Sequence, residues 1–277
     1  MQNSLNLAMR AARAGGDVLR EFRLTRTPLG ERRKGNNSPV TDADIAASRA
    51  VHSILSEGDP GGFVLDEEEE DAHDVARPDA FWVIDPLDGT RFFLDGSDAF
   101  CTMVGLIKDG TPRLGAVYFP MQDVLFFGGD NLGAWRQTEG QEARQLLPRD
   151  VPDLHRARMS GPSKPDVQAL YTRIATALGI ASSVTHEPAG GMYAALLTGE
   201  ADLALTRPVS NCSVWDIAAG HAMLLALGGT IVDLSGNPID YRHDCRLSNG
   251  SIAVVDRRLL GSILERLPAR HELVVDP

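Results

Sequence analysis

An apolar stretch near residue 85 gives way to turn-forming and acidic residues, and this junction restricts the local fold more than any other part of the sequence. Residues 81–84 form a short apolar run of β type, followed directly by Asp-Pro-Leu-Asp-Gly-Thr. Pro86 fixes φ and lacks an N–H, so the strand is expected to end there. Gly89 permits a tight turn and close approach of a ligand to the backbone. The sequence therefore predicts a strand end at which Asp85 and Asp88 point into one cavity.

This junction offers only oxygen ligands for a cation. Besides the carboxylates of Asp85 and Asp88, the Leu87 carbonyl and the Thr90 hydroxyl lie within the same short segment. Mg²⁺ prefers one or two carboxylates together with water and phosphate oxygens, so the segment is typical of a magnesium site. The alternative is a polar turn with aspartate caps, which by itself would also explain the pattern.

An acidic run at residues 66–71 is a second candidate for cation binding. Such runs are usually solvated surface, but this one directly follows the apolar, strand-like residues 63–65. Its first members are therefore expected at a strand end, where ligands gather. Glu67 and Glu68 are the predicted functional residues, and residues 69–71 are expected to face solvent.

A third acidic position lies in the first turn of an apolar helix predicted from Val214. Asp216 is favourable there as a cap on the helix dipole, which is the structural alternative to a role as a ligand. Trp215 is interpreted as a core residue. His221, on the same apolar helix, is interpreted as a core histidine with its hydrogen bonds satisfied rather than as a ligand.

A fourth segment precedes the second predicted helix. Thr41 and Asp44 fit a capping box in which Asp replaces Glu, and that alone would explain them. Alternatively, Asp44 orients an attacking water through or alongside Thr90.

Charge and cysteine content limit the classes of function. The formal net charge is −11, which argues against nucleic-acid binding through a basic surface. Such a chain should also repel a phosphorylated substrate unless bound cations reverse the sign locally. The three widely spaced cysteines show no ligand spacing and indicate a cytoplasmic protein with reduced thiols. No signal peptide is evident at the N-terminus, and residues 217–227, the most apolar stretch, are too short to span a bilayer.

Periodicity predicts an α/β protein in two parts divided near Pro148–Pro152. Residues 1–150 are expected to form an N-terminal α+β domain and residues 151–277 a C-terminal α/β domain. The first part should contain helices at residues 5–22 and from Thr41 to Gly58, then an antiparallel sheet with a hairpin turn at Asp109-Gly110. In the second part we expect helices at residues 165–178, 191–197, 214–227 and from 256. Strands are expected there at residues 183–185, 201–205, 230–233 and 252–255.

Four segments together resemble the inositol monophosphatase family, in order along the chain from Ser38 to about Tyr241. WVIDPLDGTRFF resembles its D-P-[IL]-D-G-T-x-x-F signature, with Phe92 where many members have Asn, and VWDIAAG resembles W-D-x-A-A-G. SPVTDAD is similar to V-T-x-x-D, and VLDEE to its G-E-E or S-E-E segment with Asp66 in the Gly or Ser position.

The resemblance implies a layered αβαβα fold, usually dimeric, and a phosphomonoesterase that uses two or three Mg²⁺ ions and is often sensitive to lithium. The implied metal ligands are Glu67, Glu68 through water, Asp85, the Leu87 carbonyl, Asp88 and Asp216. Implied catalytic residues are Asp44, Thr90 and Glu67. The implied phosphate site comprises the Gly89 and Thr90 amides. Further candidates for binding the substrate are Asp216 and, because their loop precedes a predicted helix and could offer backbone N–H groups, Gly190 and Gly191.

The alcohol part of the substrate is less well specified. Residues 186–193 and 207–213 are the expected specificity segments, although the first is as well explained as an ordinary glycine-rich loop. Bisphosphate nucleotidases carry a Lys just before the helix that here contains Met192 and Tyr193, and Val209 replaces an acidic residue of inositol phosphatases. No subfamily is therefore matched cleanly. We rank inositol monophosphate or a similar polyol phosphate first, with a 3′(2′),5′-bisphosphate nucleotide close behind. Fructose 1,6-bisphosphate and histidinol phosphate follow, and a non-catalytic metal- or phosphate-binding regulator is the alternative from another class.

Overall fold

The computed structural model describes residues 1–35, 38–162, 165–208 and 212–273. Its helices are α1 Gln2–Thr25, α2 Asp42–Gly58, α3 Thr90–Leu94, α4 Pro165–Leu178, α5 Ala189–Thr198, α6 Val214–Ala226 and α7 Leu259–Arg266. Its strands are β1 Arg32–Arg33, β2 Pro39–Val40, β3 Val64–Asp66, β4 Ala80–Asp88, β5 Cys101–Lys108, β6 Thr111–Phe119, β7 Val124–Gly129, β8 Gly133–Thr138, β9 Arg144–Leu146, β10 Arg158–Gly161, β11 Ser182–Thr185, β12 Leu203–Thr206, β13 Thr230–Val232 and β14 Ser251–Val254.

The two N-terminal helices pack against each other and on one face of the first sheet. α1 is longer than its predicted range of 5–22, because its polar ends continue the helix beyond the apolar face. α2 begins as predicted. The Thr41 side chain accepts hydrogen bonds from the Ala43 and Asp44 amides, and the Thr41 amide donates to the Asp44 carboxylate, so the capping box is complete.

The first sheet has seven strands in the order β3-β4-β5-β6-β7-β8-β9. It is antiparallel as predicted, except that β3 runs parallel to β4. The β5–β6 hairpin turns at Asp109 (φ 54°) and Gly110 (φ 71°), both left-handed, as the Asp-Gly pair predicts. β8 and β9 were not expected, since their sequences alternate polar and apolar residues only weakly.

The expectation that the strand ends at Pro86 is wrong, because β4 continues to Asp88. Its ladder to β5 is irregular between Asp85 and Asp88, which places Pro86 at a bulge where no ladder N–H is needed. The Thr102 hydroxyl donates to the Pro86 carbonyl at 2.8 Å. On the other side β3 stops opposite Ile84, so a proline beyond that point costs no bond there.

The second sheet has five strands in the order β11-β10-β12-β14-β13. β10 pairs in parallel with β11 and β12, and β14 runs antiparallel to β12 and β13. The predicted alternation of helices and strands is confirmed within one or two residues for most elements. β10 was not expected, and the last helix begins at Leu259 rather than at residue 256.

The elements stack in the predicted αβαβα order. α1 and α2 cover one face of the seven-stranded sheet, α6 and α5 lie between the two sheets, and α4 and α7 pack together on the second sheet. The main hydrophobic core runs through this central layer and includes residues from both sheets. The division into domains at residue 150 remains a proposal. Among the described residues, no helix has the length and apolarity needed to cross a bilayer.

Candidate metal centre and phosphate site

Three carboxylates meet where the first sheet faces α6, two of them buried and the third, Asp216, half-buried. Asp85 and Asp88 lie on either side of the β4 bulge, and Asp216 lies in the first turn of α6. One oxygen from each of the three lies within 4.8 Å of the others. Asp216 is held there because it accepts a hydrogen bond from the Ser213 amide in a second capping box. The cap and the ligand interpretations of Asp216 are therefore compatible.

The electrostatics of this cluster favour a cation. Burial, together with the nearby carboxylates, raises the pKa of Asp85 and of Asp216 well above the usual range. Burial also raises the pKa of Asp88 to about 6, although hydrogen bonds from its surroundings oppose the rise. Asp85 Oδ1 is buried and has no hydrogen-bond partner among the residues that the structure describes. Since an unpartnered buried oxygen is costly, the cluster fits a hard divalent cation well.

Glu67 and Glu68 follow β3 as expected, and both are bonded to a lysine. Lys34 Nζ lies 2.9 Å from an oxygen of Glu67 and 2.9 Å from an oxygen of Glu68. Burial raises the pKa of Glu68 to about 8, and the Glu67 charge adds to the rise. Burial alone would lower the pKa of Lys34, but the two glutamates together raise it. Lys34 was not identified from the sequence, since it lies in a polar loop without a motif.

Asp44 and Thr90 are joined directly. The Thr90 hydroxyl donates to Asp44 Oδ1 at 2.9 Å and lies 3.3 Å from the Leu87 carbonyl. Asp44 Oδ2 accepts from the Thr41 amide at 2.8 Å and hydroxyl at 2.6 Å. Burial raises the pKa of Asp44 to about 6. One oxygen of Asp44 therefore completes the helix cap and the other accepts from Thr90, so the cap is confirmed, and the orientation of an attacking water by this pair stays a prediction.

The glycines at the site allow other segments of the backbone to approach closely. Gly89 has a φ of +95° and precedes α3, and an added Cβ would lie 2.9 Å from the Pro188 side chain. The Gly190 amide donates to Asp88 Oδ2 at 2.6 Å. The Gly190 amide was expected to bind substrate, but it donates to Asp88 instead, because the start of α5 lies against that carboxylate. Gly191, in the same turn, has more open surroundings.

A cleft of about 510 Å³ opens beside the carboxylates, and its walls carry both charges. It is lined in part by Lys34, Glu67, Asp216, His243 and Arg246. From the expected specificity segments, residues 209–211, including Val209, lie outside the described residues.

His221 is the core histidine that the sequence predicts. Its Nδ1 lies 2.8 Å from the Tyr241 hydroxyl, and its Nε2 accepts from the Ile231 amide at 3.1 Å. Burial lowers the pKa of His221 to about 3, so it is neutral at physiological pH. It takes no part in the candidate site.

Comparison with known proteins gives consistent matches over nearly the whole chain. The inositol monophosphatase family model matches residues 1–270. The chain is 32% identical over 242 residues to the 3′(2′),5′-bisphosphate nucleotidase CysQ of Escherichia coli K12, covering 86% of this chain and 93% of the relative. It is 29% identical over 211 residues to the histidinol-phosphatase of Mycobacterium tuberculosis, covering 73% and 77% respectively.

Two solved structures share the fold. The Bartonella henselae extragenic suppressor protein suhB aligns with a TM-score of 0.75 at 24% identity, covering 95% of this chain and 97% of that one. Inositol monophosphatase from Anabaena aligns with a TM-score of 0.73 at 24% identity, covering 96% and 97%.

Proposed function

The chain belongs to the inositol monophosphatase family, and we propose that it is a Mg²⁺-dependent phosphomonoesterase that hydrolyses a small phosphorylated metabolite. The observation that carries the proposal is the convergence of Asp85, Asp88 and Asp216, with a buried oxygen of Asp85 unpartnered. Without cations this cluster would repel a phosphate ester from the adjoining cleft.

The proposed ligands are Asp85, Asp88, Asp216 and Glu67, with the Leu87 carbonyl and, through water, Glu68. When bound, two or three Mg²⁺ ions supply positive charge that offsets the phosphoryl oxygens and lowers the pKa of water. Glu67 becomes available for this role when it exchanges Lys34 for a cation.

The remaining residues position the nucleophile and the phosphate. The Thr90 hydroxyl, held by Asp44, is placed to orient a water for in-line attack, and Asp44 Oδ1 can take up its proton through Thr90. The Gly89 and Thr90 amides, at the left-handed turn before α3, are proposed to bind phosphate oxygens. A non-catalytic regulator would not need the Asp44–Thr90 pair, which argues for an enzyme.

For the substrate, a 3′(2′),5′-bisphosphate nucleotide deserves testing ahead of the inositol monophosphate that the motifs alone favoured. The relative with this named activity is 32% identical over 86% of the chain. In addition, His243 and Arg246 line the cleft beside the carboxylates and would suit a second anionic group. Inositol monophosphate, histidinol phosphate and fructose 1,6-bisphosphate remain alternatives. Inhibition by lithium, a homodimer and a cytoplasmic location also remain proposals.

Phosphate release tests the proposal. The purified chain should hydrolyse p-nitrophenyl phosphate with Mg²⁺ and not in a chelator, and Asp88→Asn should abolish turnover. Asp130→Asn, an exposed carboxylate on the β7–β8 turn, is the matched control and should be fully active. A panel of the four candidate substrates then ranks specificity. Equal activity of Asp88→Asn and the wild type would refute the cation assignment, and no turnover of any ester would favour the regulator.

A further inference from the structure

We propose that Asp66 is a positioning residue that fixes the Glu67–Glu68 turn against α2 and thereby sets the affinity of the site for divalent cations. The inference rests on the proposed function, since it assumes that Glu67 binds a cation. Asp66 ends β3, directly before the two glutamates, and its side chain is completely buried. A buried carboxylate at this point needs partners, and it has them on several sides.

The Asp66 carboxylate joins the turn to the second helix. One oxygen accepts from the Ser48 hydroxyl at 2.6 Å and contacts His52 Nε2 at 3.0 Å, both on α2. The other oxygen accepts from the Glu68 amide at 2.8 Å. α2 also carries Asp44 in its first turn, so Asp66 connects the element that holds the proposed water-orienting residue to the turn that holds the glutamates.

The Asp66 backbone extends this connection to α6. Its carbonyl lies 2.8 Å from His73 Nε2. The His73 ring in turn lies against Trp215, with ring centroids 4.8 Å apart and planes inclined by 34°. Trp215 immediately precedes Asp216. Asp66 therefore contacts α2 and the glutamate turn directly, and it contacts α6 through the His73 ring.

A cation bound directly by Asp66 is the alternative explanation of the cluster. Ligand atoms of His52, Asp66 and Glu69 do lie within 4.8 Å of one another. However, both Asp66 oxygens already have hydrogen-bond partners, and the bond to Asp66 raises the pKa of His52, which favours the protonated ring over a neutral ligand. The arrangement is therefore better explained as a support for the neighbouring turn.

The tie to α2 depends on the length of the aspartate side chain, which reaches Ser48 and His52. A serine could still accept the short hydrogen bond from the Glu68 amide. It is too short to reach Ser48 and His52 on α2. Replacing Asp66 by Ser therefore separates the local turn from the connection to the helix.

The experiment measures Mn²⁺ binding to the metal-free, full-length chain by calorimetry. Removing a residue that supports metal ligands usually costs 10–100-fold in affinity, so we expect about a 100-fold loss for Asp66→Ala and about tenfold for Asp66→Ser. Ser48→Ala, which keeps the buried carboxylate, should show a smaller loss in the same direction and serves if the Asp66 variants fold poorly. At saturating Mn²⁺, kcat for p-nitrophenyl phosphate should recover to near the wild-type value in all three.

Asp202→Asn is the matched control for simple destabilisation. Asp202 is also a buried carboxylate with several partners, Arg149 and Arg158 among them, but it lies directly before β12 of the second sheet. It should lower thermal stability without changing Mn²⁺ affinity. Unchanged affinity in the Asp66 and Ser48 variants, or an equal loss in Asp202→Asn, would overturn the positioning role. If the wild type itself binds no Mn²⁺, the proposed function fails, and the positioning role fails with it. That result differs from unchanged affinity in the variants, which overturns the positioning role alone.

Discussion

Replacing Asp88 by Asn should stabilise the metal-free protein at alkaline pH while abolishing activity. Burial raises the pKa of Asp88 from 3.8 to about 6, and each unit corresponds to about 1.4 kcal/mol. Because the folded-state pKa is higher than the unfolded one, the ionised carboxylate lowers the free energy of unfolding above pH 6. The cost disappears as the pH falls towards 3.8. Asparagine avoids the cost and can still accept the hydrogen bond from the Gly190 amide.

The expected gain in the free energy of unfolding is about 3 kcal/mol at pH 8 and about 1 kcal/mol at pH 4.5. For a chain of this length, 3 kcal/mol corresponds to roughly 5 °C in melting temperature. Scanning calorimetry in a chelator at the two pH values measures it. Added Mg²⁺ should raise the melting temperature of the wild type, because it binds the folded state, and should raise that of Asp88→Asn much less.

Asp233→Asn is the control with the opposite sign. Partial burial by itself would raise the pKa of Asp233, but hydrogen bonds from Asn249, Asn237 and Ser235 lower it. The ionised form is therefore stabilised by folding, and the asparagine variant should be less stable than the wild type at pH 8. A metal-free Asp88→Asn protein that is no more stable than the wild type at pH 8, or that gains equally at both pH values, would refute the reasoning about the carboxylate cluster.

Three further predictions follow from single contacts. Thr90→Ala should lower kcat about 100-fold with little change in Mn²⁺ affinity. Thr90→Ser, which keeps the hydroxyl, should restore kcat. A full loss of kcat in the serine variant would contradict a role for the Thr90 hydroxyl bonded to Asp44. Lys34→Gln should lower the melting temperature in a chelator. It should also enlarge the rise in melting temperature caused by Mg²⁺, because the metal ion then replaces the missing ammonium. Calorimetry measures both effects, and an unchanged response to Mg²⁺ would contradict this prediction. Gly115→Ala should cost about 1–3 kcal/mol, since its Cβ would lie 2.4 Å from the α6 backbone, whereas Gly261→Ala, in open space on α7, should gain up to about 1 kcal/mol in denaturant unfolding.

Local patterns predicted the elements that carry the site better than they predicted its contacts. The capping box at Thr41 and the Asp-Gly turn at Asp109 depend on neighbouring residues, and both formed as expected. The end of β4 did not, because whether Pro86 terminates a strand depends on what pairs with it. There β4 bulges away from its β5 ladder at the proline, and β3 has already stopped. That information lies in the pairing and not in the strand's own sequence.

The contacts that were missed join residues far apart in the chain. Lys34 pairs with glutamates 33 and 34 positions away, and the Gly190 amide reaches a carboxylate 102 positions away. Neither Lys34 in a polar loop nor Gly190 in a glycine-rich one carries a periodic or motif signal. The net charge of the sequence indicates only that the acidic centre needs a cation. In the folded chain, the Lys34 ammonium supplies positive charge beside the two glutamates.

The ion pair at Lys34 also explains how an acidic chain can fold before it binds a cation. Glu67 and Glu68 lie among buried carboxylates whose pKa values are raised by burial and mutual repulsion, so the metal-free site opposes folding at neutral pH. The buried ammonium of Lys34 relieves part of that repulsion through its ion pairs with the two glutamates. Asp85 keeps an unpartnered oxygen and therefore retains the strongest reason to take up a cation.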